Sequence, residues 1–471
     1  MLYYASQMQG RATASLLPYV AQSENIINMI RVSIRGIRDI DSADIDLNGI
    51  TVLAGRNGSG KSTISKLVYQ TYFTAANYEK IISREFGNYL ISTFQDIWRP
   101  TVDFVYSAKK FIERINTGFV YPSSPGDTDQ IEPYLANVRS VLQQLRGVNE
   151  EAYRVRLQRL VRSYFAAINP RAPVRELQYS DDMGLNAIDE VARHFAAVRE
   201  KCEKMQKRRP LDMFYRRVEQ ILEDSVSIEG HFDLQEGDLS LFDQQAKRLG
   251  FSTLVSNVFY IDTPWIVDSD MPSLRRDRRL SHRYELLKTL KRVAVDKNND
   301  QIVHEIIGGA TGMVDSETAN RFEFHRDNGD SFDLFHCATG VKSFSILQML
   351  LDANFLGPKT LMILDEPEAH LHPCWTFHYA RLINKLHKEK GVRFLISTHS
   401  PDMVQALSAI AEHEGINDRM TFYCARDLGS GKYHYDPLKD DFGPIFESFN
   451  SILDMIAKMQ EETSEDGKSN A

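Results

Sequence analysis

The pattern of hydrophobic and polar positions divides the chain into strand-rich ends and a long helical middle. Residues 29–47 alternate apolar and polar side chains, which predicts half-buried antiparallel strands. From about Tyr72 to Asp224 the apolar residues recur three and four positions apart, with breaks at prolines and glycines such as Pro100. Because these breaks prevent a sustained heptad repeat, we expect a compact helical lobe and no long coiled-coil arm.

Continuous apolar runs predict buried strands, and three of these runs lead into residues that can do chemistry. The run 50–54 precedes a glycine-rich turn, the run 360–364 ends at two acids, and the run 392–398 ends at a histidine. A further run covers 256–262. Uninterrupted apolar runs are typical of central parallel strands, which are covered on both faces. The pattern therefore predicts an α/β protein.

The turn after residue 54 has the sequence of a P-loop, and a helical pattern follows it. Glycines let backbone N–H groups close around phosphate oxygens, and the helix adds its positive N-terminal end. Lys61 supplies a positive charge to the β- and γ-phosphates, and Ser62 is placed to bind Mg²⁺. A chance glycine-rich turn is the alternative, which the filled motif disfavours. The predicted nucleotide-binding residues here are Gly55, Arg56, Asn57, Gly58, Ser59, Gly60, Lys61, Ser62 and Thr63.

Asp365 and Glu366 close the second apolar run. Asp365 can hold Mg²⁺, directly or through water, and Glu366 can accept a proton from an attacking water. Taken alone, two acids at a strand end are also typical of a simply capped strand, and a lone histidine is more often a core residue. The P-loop upstream, with His399 one strand after the acids, favours nucleotide chemistry.

Composition and charge limit what the protein binds and where it works. The chain has 471 residues, with 56 basic and 64 acidic residues and a net charge of -8, so its total charge does not demand nucleic acid. Four cysteines without a CxxC pair indicate a reduced, cytoplasmic protein. Because no apolar run is long enough to span a bilayer, we expect no membrane partner.

Two basic segments leave the question of DNA open. One covers 274–283 and includes Arg275, Arg276, Arg278, Arg279 and Arg283, and a more dilute basic face covers 193–209. Either segment can bind a phosphate backbone or simply face solvent. Because no aromatic residues interleave with the charges, the solvated alternative is favoured.

Together these segments resemble the ABC-type ATPase fold, and within it the branch shared by RecF and SMC proteins and the overcoming-lysogenization-defect (OLD) nucleases. The resemblance covers about residues 29–75 and 335–430. It implies that 55–62 is Walker A, that Asp365 and Glu366 end Walker B, and that His399 is the switch histidine that senses the γ-phosphate. The implied catalytic residues are Lys61, Glu366 and His399; the implied Mg²⁺ ligands are Ser62 and Asp365, with Gln95 as a candidate Q-loop ligand.

The segment 337–343 stands where this family's signature contacts the nucleotide of a second subunit. The resemblance thus implies a homodimer or higher oligomer closed by ATP, with contacts from Thr339, Gly340, Lys342 and Ser343. Two departures stand out: Ala338 replaces the signature serine, and His372 falls near the usual D-loop aspartate. The segment 368–373, EAHLHP, is similar to that of OLD-type and phage-defence ATPases. An alternative metal site would use His370, His372 and His378.

The residues after His399 hold no acidic TOPRIM pattern, so we expect no intrinsic nuclease domain. The chain resembles the TOPRIM-less phage-defence ATPases of the Septu and retron PtuA type and the PARIS AriA type. The implied function is an ATP-hydrolysing subunit that dimerises around ATP with Mg²⁺ and controls a separate effector protein, a nuclease or toxin, in anti-phage defence. The alternative is a RecF- or SMC-like DNA-binding repair ATPase. An importer ATPase is a third, less favoured interpretation.

The predicted fold is an ABC-ATPase head of the α/β class with N-terminal antiparallel strands and a large, mostly helical insertion. The predicted parts are an N-terminal extension over 1–28, the first part of the head over 29–75, an insertion lobe over 76–300, the second part of the head over 301–460 and a polar disordered tail over 461–471.

Overall fold

The computed structural model describes most of the chain as two units. The described residues are 29–108, 128–171, 178–222, 230–269, 273–274, 281–291, 301–315, 320–369, 371–438, 442–446 and 459. One unit, here called the head, comprises residues up to Ala76 and from Pro210 onward, and the other, the helical unit, comprises Asn77–Arg209. The predicted extension over 1–28 and tail over 461–471 lie outside the described residues.

Strands and helices are numbered here in chain order. The strands are β1 (Ile30–Ile37), β2 (Ile40–Asp46), β3 (Ile50–Ala54), β4 (His231–Glu236), β5 (Leu239–Ser240), β6 (Phe242–Asp243), β7 (Arg248–Leu249), β8 (Asn257–Ile261), β9 (Gly309–Asp315), β10 (Asn320–Arg326), β11 (Ser331–Asp333), β12 (Thr360–Asp365), β13 (Arg393–Thr398), β14 (Met420–Asp427) and β15 (Tyr433–Leu438). The helices are α1 (Lys61–Ala108), α2 (Ile131–Gln144), α3 (Glu151–Ile168), α4 (Met183–Arg208), α5 (Asp212–Leu222), α6 (Ser281–Leu290), α7 (Gln301–Ile307), α8 (Thr339–Asp352), α9 (Pro373–Lys390) and α10 (Pro401–Glu414).

The head is built on a mixed sheet in the order β5-β4-β1-β2-β15-β14-β3-β13-β12-β8. The strands from β14 to β8 run parallel to one another, whereas β1 pairs antiparallel with both β2 and β4. The predicted α/β class with N-terminal antiparallel strands is therefore confirmed. Residues 50–54 and 360–364 are completely buried, as expected for central strands covered on both faces.

The register of three neighbouring strands decides where the site forms. Thr398 at the end of β13 pairs with Ala54 at the end of β3, and Asp365 at the end of β12 pairs with Ser397. Because these strands are parallel, their carboxyl ends meet at one edge of the sheet. The P-loop, the two acids and His399 all follow from that edge.

The helical unit is shorter than the lobe predicted over 76–300. It begins at Asn77, where α1 is interrupted by a non-helical residue, and it ends at Arg209, which has a left-handed backbone (φ 50°) after α4. The segment beyond it belongs to the head, because β4 pairs with β1 and β8 pairs with β12. Pairing between strands so distant in sequence is set by the tertiary fold and leaves no local signal.

Pro100 does not break its helix as the sequence pattern predicted. Helix α1 continues through it to Ala108. The hydroxyl of Thr101 donates to the carbonyl of Ile97 at 2.6 Å and also lies 2.7 Å from the hydroxyl of Tyr164, and all three residues are buried. The buried packing around Thr101 thus keeps the helix continuous, although Pro100 lacks the amide that would donate to the carbonyl of Asp96. Among the described residues, no helix has the length and apolar character needed to cross a membrane.

Candidate nucleotide-binding site

The P-loop connects the end of β3 to the start of α1, and its glycines are required by geometry. Gly58 and Gly60 have φ values of 81° and 94°, a region that other residues rarely adopt. A Cβ atom on Gly60 would lie 2.6 Å from Cγ1 of Ile40, whereas one on Gly58 would meet nothing within 4 Å. The loop is therefore packed against β2 on one side and open on the other. Its residues 56–58 are exposed.

Lys61 is buried at the start of α1, and neutral groups hold its ammonium ion. Its Nζ atom donates to the carbonyl oxygens of Gly55 at 2.8 Å and Arg56 at 2.9 Å. Burial lowers the pKa of Lys61, and the nearby carboxylates, led by Glu366 and Asp365, oppose that shift. Lys61 forms no ion pair with any described residue. A phosphate oxygen can thus replace the two carbonyl contacts.

Two residues that the sequence patterns did not indicate hold the loop in place. The hydroxyl of Tyr435, on β15, donates to the carbonyl of Ser59 at 3.1 Å. The hydroxyl of Ser65 lies 2.8 Å from that of Ser397 on β13, and both are fully buried. These bonds join the P-loop and the helix after it to strands more than 300 residues away in the chain, so only the folded structure reveals them.

Asp365 ends β12 with one carboxylate oxygen bonded and the other free. The hydroxyl of Tyr260 donates to Oδ2 at 2.8 Å, and Oδ1 is buried without a hydrogen-bond partner among the described residues. Burial raises the pKa of Asp365, while the hydroxyls of Ser62 and Tyr260 oppose the rise. A buried carboxylate oxygen without a partner, with a serine hydroxyl close by, is a donor set that suits Mg²⁺. Ser62 and Asp365 thus fit the predicted metal.

Glu366 has an uncommon backbone conformation, with φ 50°. Its N–H donates to the carbonyl of Ser397 at 2.8 Å, so the neighbouring strand holds it there. Its Oε1 atom lies 3.1 Å from Nδ1 of His399, and both side chains are partly exposed. A cavity of about 110 Å³ adjoins Asp365 and Glu366, and Trp265 and Ser343 also line it. There is therefore room for water beside Glu366.

Glu368 is an acid of this site for which the sequence predicted no role. It is buried, and its Oε1 atom accepts hydrogen bonds from the hydroxyl of Thr398 at 2.6 Å and the backbone N–H of His399 at 3.2 Å. Burial raises the pKa of Glu368, and the hydrogen bond from Thr398 opposes that shift. The signal that could have found it was the third acid of the segment 365–368, DEPE.

The segment predicted to contact a second nucleotide forms the start of α8. Thr339 and Gly340 are its first residues, and Ala338 precedes it without a side-chain cap. The hydroxyl of Ser343 donates to the carbonyl of Thr339 at 3.2 Å. The ammonium ion of Lys342 is buried and forms an ion pair with Asp268 at 2.6 Å. Lys342 is thus bound within its own head.

For the remaining predicted site residues, the structure gives at most their positions in the chain's helices. Gln95 lies on α1 within the helical unit, so its role as a ligand stays a prediction. His370 lies outside the described residues, and the side chain of His372 accepts from the N–H of Cys374 to cap α9. Within the described part of the chain, no group of three or more histidines, cysteines or acids could hold a metal ion.

The two basic segments stay open to either interpretation, and the described residues show only part of their surroundings. Residues 275–280 lie outside the described residues, and Arg283 pairs with Asp262. On the dilute basic face, ion pairs neutralise several charges: Arg193 with Glu190, Arg199 with Glu132, and Lys204 with Glu200.

The fold and this site are those of a P-loop nucleotide-binding domain of the α/β class. A family model described as "AAA domain, putative AbiEii toxin, Type IV TA system" matches residues 151–404, and one described as "AAA domain" matches residues 31–67. Because the first match covers more than half of the chain, the chain belongs to that AAA-domain family. No curated protein sequence matches it.

Several solved structures of SMC heads are similar to this chain. The SMC head with an extended coiled coil bound to the C-terminal domain of ScpA, from Pyrococcus furiosus, has 11% identity, covers 91% of this chain and 99% of its own, and has a TM-score of 0.31. An SMC head bound to the C-terminal winged-helix domain of ScpA has 12% identity, coverages of 88% and 98%, and a TM-score of 0.35. The SMC head from Thermotoga maritima has 12% identity, coverages of 87% and 99%, and a TM-score of 0.33.

Proposed function

We propose that this chain binds ATP with Mg²⁺, hydrolyses it, and dimerises around it to control a separate effector protein. The supporting observation is the cluster at the carboxyl ends of β3, β13 and β12. There Lys61 is bound only to neutral carbonyl groups, Asp365 has an unpaired oxygen, and Glu366 lies 3.1 Å from His399. This is the set of charges that phosphoryl transfer to water requires.

Each residue has a proposed task in hydrolysis. Lys61 binds the β- and γ-phosphates, and the backbone of 55–60 surrounds them. Glu366 accepts the proton of the attacking water, for which the adjoining cavity has room. His399 contacts the γ-phosphate. When bound at Ser62 and Asp365, Mg²⁺ neutralises phosphate charge.

For the dimer, we propose that the start of α8 contacts the nucleotide bound by a second copy. Thr339 and Gly340 bring the helix N-terminus and one hydroxyl to that contact. Lys342 would act there indirectly, because its ammonium ion pairs with Asp268.

The effector part of the proposal rests on the resemblance to the PtuA-type and AriA-type ATPases. The description of the matched family names a putative toxin of a type IV toxin–antitoxin system and no separate effector. Co-expression with the neighbouring gene products in the Glu366→Gln background tests it. A stoichiometric nuclease or toxin in the purified complex is expected, and a chain that always purifies alone contradicts it.

The test of hydrolysis compares Glu366→Gln with the wild type and with Glu389→Gln, an exposed glutamate of the same head. Loss of the general base is expected to lower kcat about 10²–10⁴-fold. The variant should also accumulate as an ATP-bound dimer by light scattering, whereas Glu389→Gln should match the wild type. Wild-type turnover by Glu366→Gln would remove the assigned base.

One observation favours nucleic-acid binding as a second candidate function. The exposed side of α3 carries Arg156, Arg159 and Arg162, and these form no ion pair with any described residue, whereas several basic residues of α4 are paired. Its opposite side is buried through residues such as Leu157 and Tyr164. Three unpaired arginines on one side of a helix complement a phosphate backbone.

The triple change Arg156→Glu, Arg159→Glu and Arg162→Glu tests this surface. DNA binding should weaken, and the slope of log affinity against log salt should fall by about 3, one for each phosphate contact. The matched control has the same charge change at Lys201, Lys207 and Arg208 on α4. Equal losses in both triple variants would indicate general attraction, and no salt-dependent DNA binding by the wild type would exclude the function.

A further inference from the structure

A third carboxylate, that of Glu368, lies behind the Glu366–His399 pair. Its side chain is only 7% exposed. Two donors from the end of β13 reach its Oε1 atom, the hydroxyl of Thr398 and the backbone N–H of His399. Oε2 is buried and has no hydrogen-bond partner among the described residues. A buried carboxylate oxygen without a donor costs free energy, so the site retains an acceptor that this arrangement does not use.

The ring of His399 lies between two acids. Its Nδ1 atom is 3.1 Å from Oε1 of Glu366 and 3.7 Å from Oε1 of Glu368. Nδ1 makes no hydrogen bond of regular geometry to a described residue. A small rotation of the ring can therefore transfer the Nδ1 contact from Glu366 to Glu368.

The two acids have different freedom to move and to react. Glu366 is partly exposed beside a cavity, where it can reach water. Glu368 is enclosed and already bonded to the backbone of the histidine itself. If Glu366 held the histidine ring during hydrolysis, one carboxylate would serve both the ring and the water. A second, enclosed acceptor separates these two tasks.

We propose that Glu368 is a positioning residue for His399. In this inference, which rests on the proposed function, Glu368 accepts the Nδ1–H group when ATP is bound. With a proton on each ring nitrogen, that contact directs the Nε2–H group toward a γ-phosphate oxygen and frees Glu366 to accept the proton of the attacking water. The side chain of Glu368 touches neither the nucleotide nor the water and acts only through His399.

The test is a double-mutant cycle on the full-length protein with Glu368→Gln and His399→Ala. Glutamine has nearly the same size and can still accept from Thr398 and the backbone. Alone, Glu368→Gln should lower kcat about 10–100-fold and leave KM for ATP within about 2-fold. In the His399→Ala background it should have no further effect, because its route of action is gone.

The matched control is Glu236→Gln, another buried glutamate of the head. Its carboxylate accepts bonds from Ser252, Thr253 and Leu254 and lies near Arg393, at the end of β13 opposite to the site. Any effect of this change should be the same with and without His399. Glu368→Asp, which keeps the charge, should retain more activity than Glu368→Gln and serves if the glutamine variant does not fold.

The outcomes separate this inference from the proposed function. Equal losses for Glu368→Gln with and without His399 would mean a purely structural role and overturn the inference. The same holds if Glu368→Gln turns over like the wild type while Glu366→Gln is inactive, and the proposed function then stands. A wild-type protein that does not hydrolyse ATP would overturn both.

Discussion

Two helix N-termini of the head carry glycine, lysine and serine in nearly the same order along the chain. The groups that surround the two lysines differ sharply. Lys61 starts α1 and donates only to backbone carbonyls. Lys342, near the start of α8, forms a buried ion pair with Asp268 and lies about 5 Å from the rings of Trp265 and Phe335. Both ammonium ions are almost fully buried.

The difference shows what makes a lysine available to phosphate. A carbonyl is a neutral acceptor, so an incoming phosphate can replace it with a net gain in charge pairing. Removing Lys342 from Asp268 would leave a buried carboxylate unpaired, which is strongly unfavourable. Lys61 is therefore suited to a ligand and Lys342 to holding the turn before α8.

The largest effect should come from breaking the ion pair between Lys342 and Asp268. Lys342→Met should destabilise the protein by about 3–5 kcal/mol, because Asp268 is left buried and unpaired. Urea unfolding measures this change. Replacing both residues, as Lys342→Met with Asp268→Leu, should recover most of the loss. If Lys342→Met were as stable as the wild type, the ion pair would not distinguish Lys342 from Lys61.

The second-largest effect should come from removing the ammonium ion of Lys61. Lys61→Ala should weaken ATP binding about 100-fold, roughly 2.8 kcal/mol, since the phosphates lose their buried positive charge. Titration with a fluorescent ATP analogue measures the Kd. At protein concentrations too low for dimerisation, folded Lys342→Met should bind ATP like the wild type. A Kd for Lys61→Ala within 3-fold of the wild type contradicts the role of Lys61.

The smallest effect should come from Asp262, which directly follows β8 and precedes Asp268 in the chain. Burial raises the pKa of Asp262, but hydrogen bonds and charge from His282 and Arg283 outweigh it and lower that pKa to about 2. A folded pKa below the unfolded one stabilises the protein above about pH 4, by about 2 kcal/mol, and this stability is lost as pH falls toward 2.

Urea unfolding of Asp262→Asn and the wild type at several pH values tests this linkage. The difference in the free energy of unfolding should be full at pH 7 and roughly half as large at about pH 3. A difference that does not change with pH would mean that the charge of Asp262 contributes nothing through its pKa.

Local signals in the sequence were enough to predict much of the head. The alternation over 29–47 predicted β1 and β2, and the apolar runs predicted β3, β12 and β13. These patterns are local because burial of one or both faces of a strand determines which of its successive residues are apolar. Local signals failed at Pro100 and at the end of the helical insertion, where packing and long-range strand pairing decide the outcome.

By itself, the sequence determined that a P-loop, two acids and a histidine follow buried strands, because each motif is contiguous. Only the tertiary structure decided that β13 lies between β3 and β12, so that these groups meet at one edge. It also decided which side chains Lys342 and Asp365 meet. Asp268 is 74 residues from Lys342, and Asp365 is 105 residues from Tyr260. No local pattern encodes such pairs, since they depend on which strands and turns lie next to each other in the folded head.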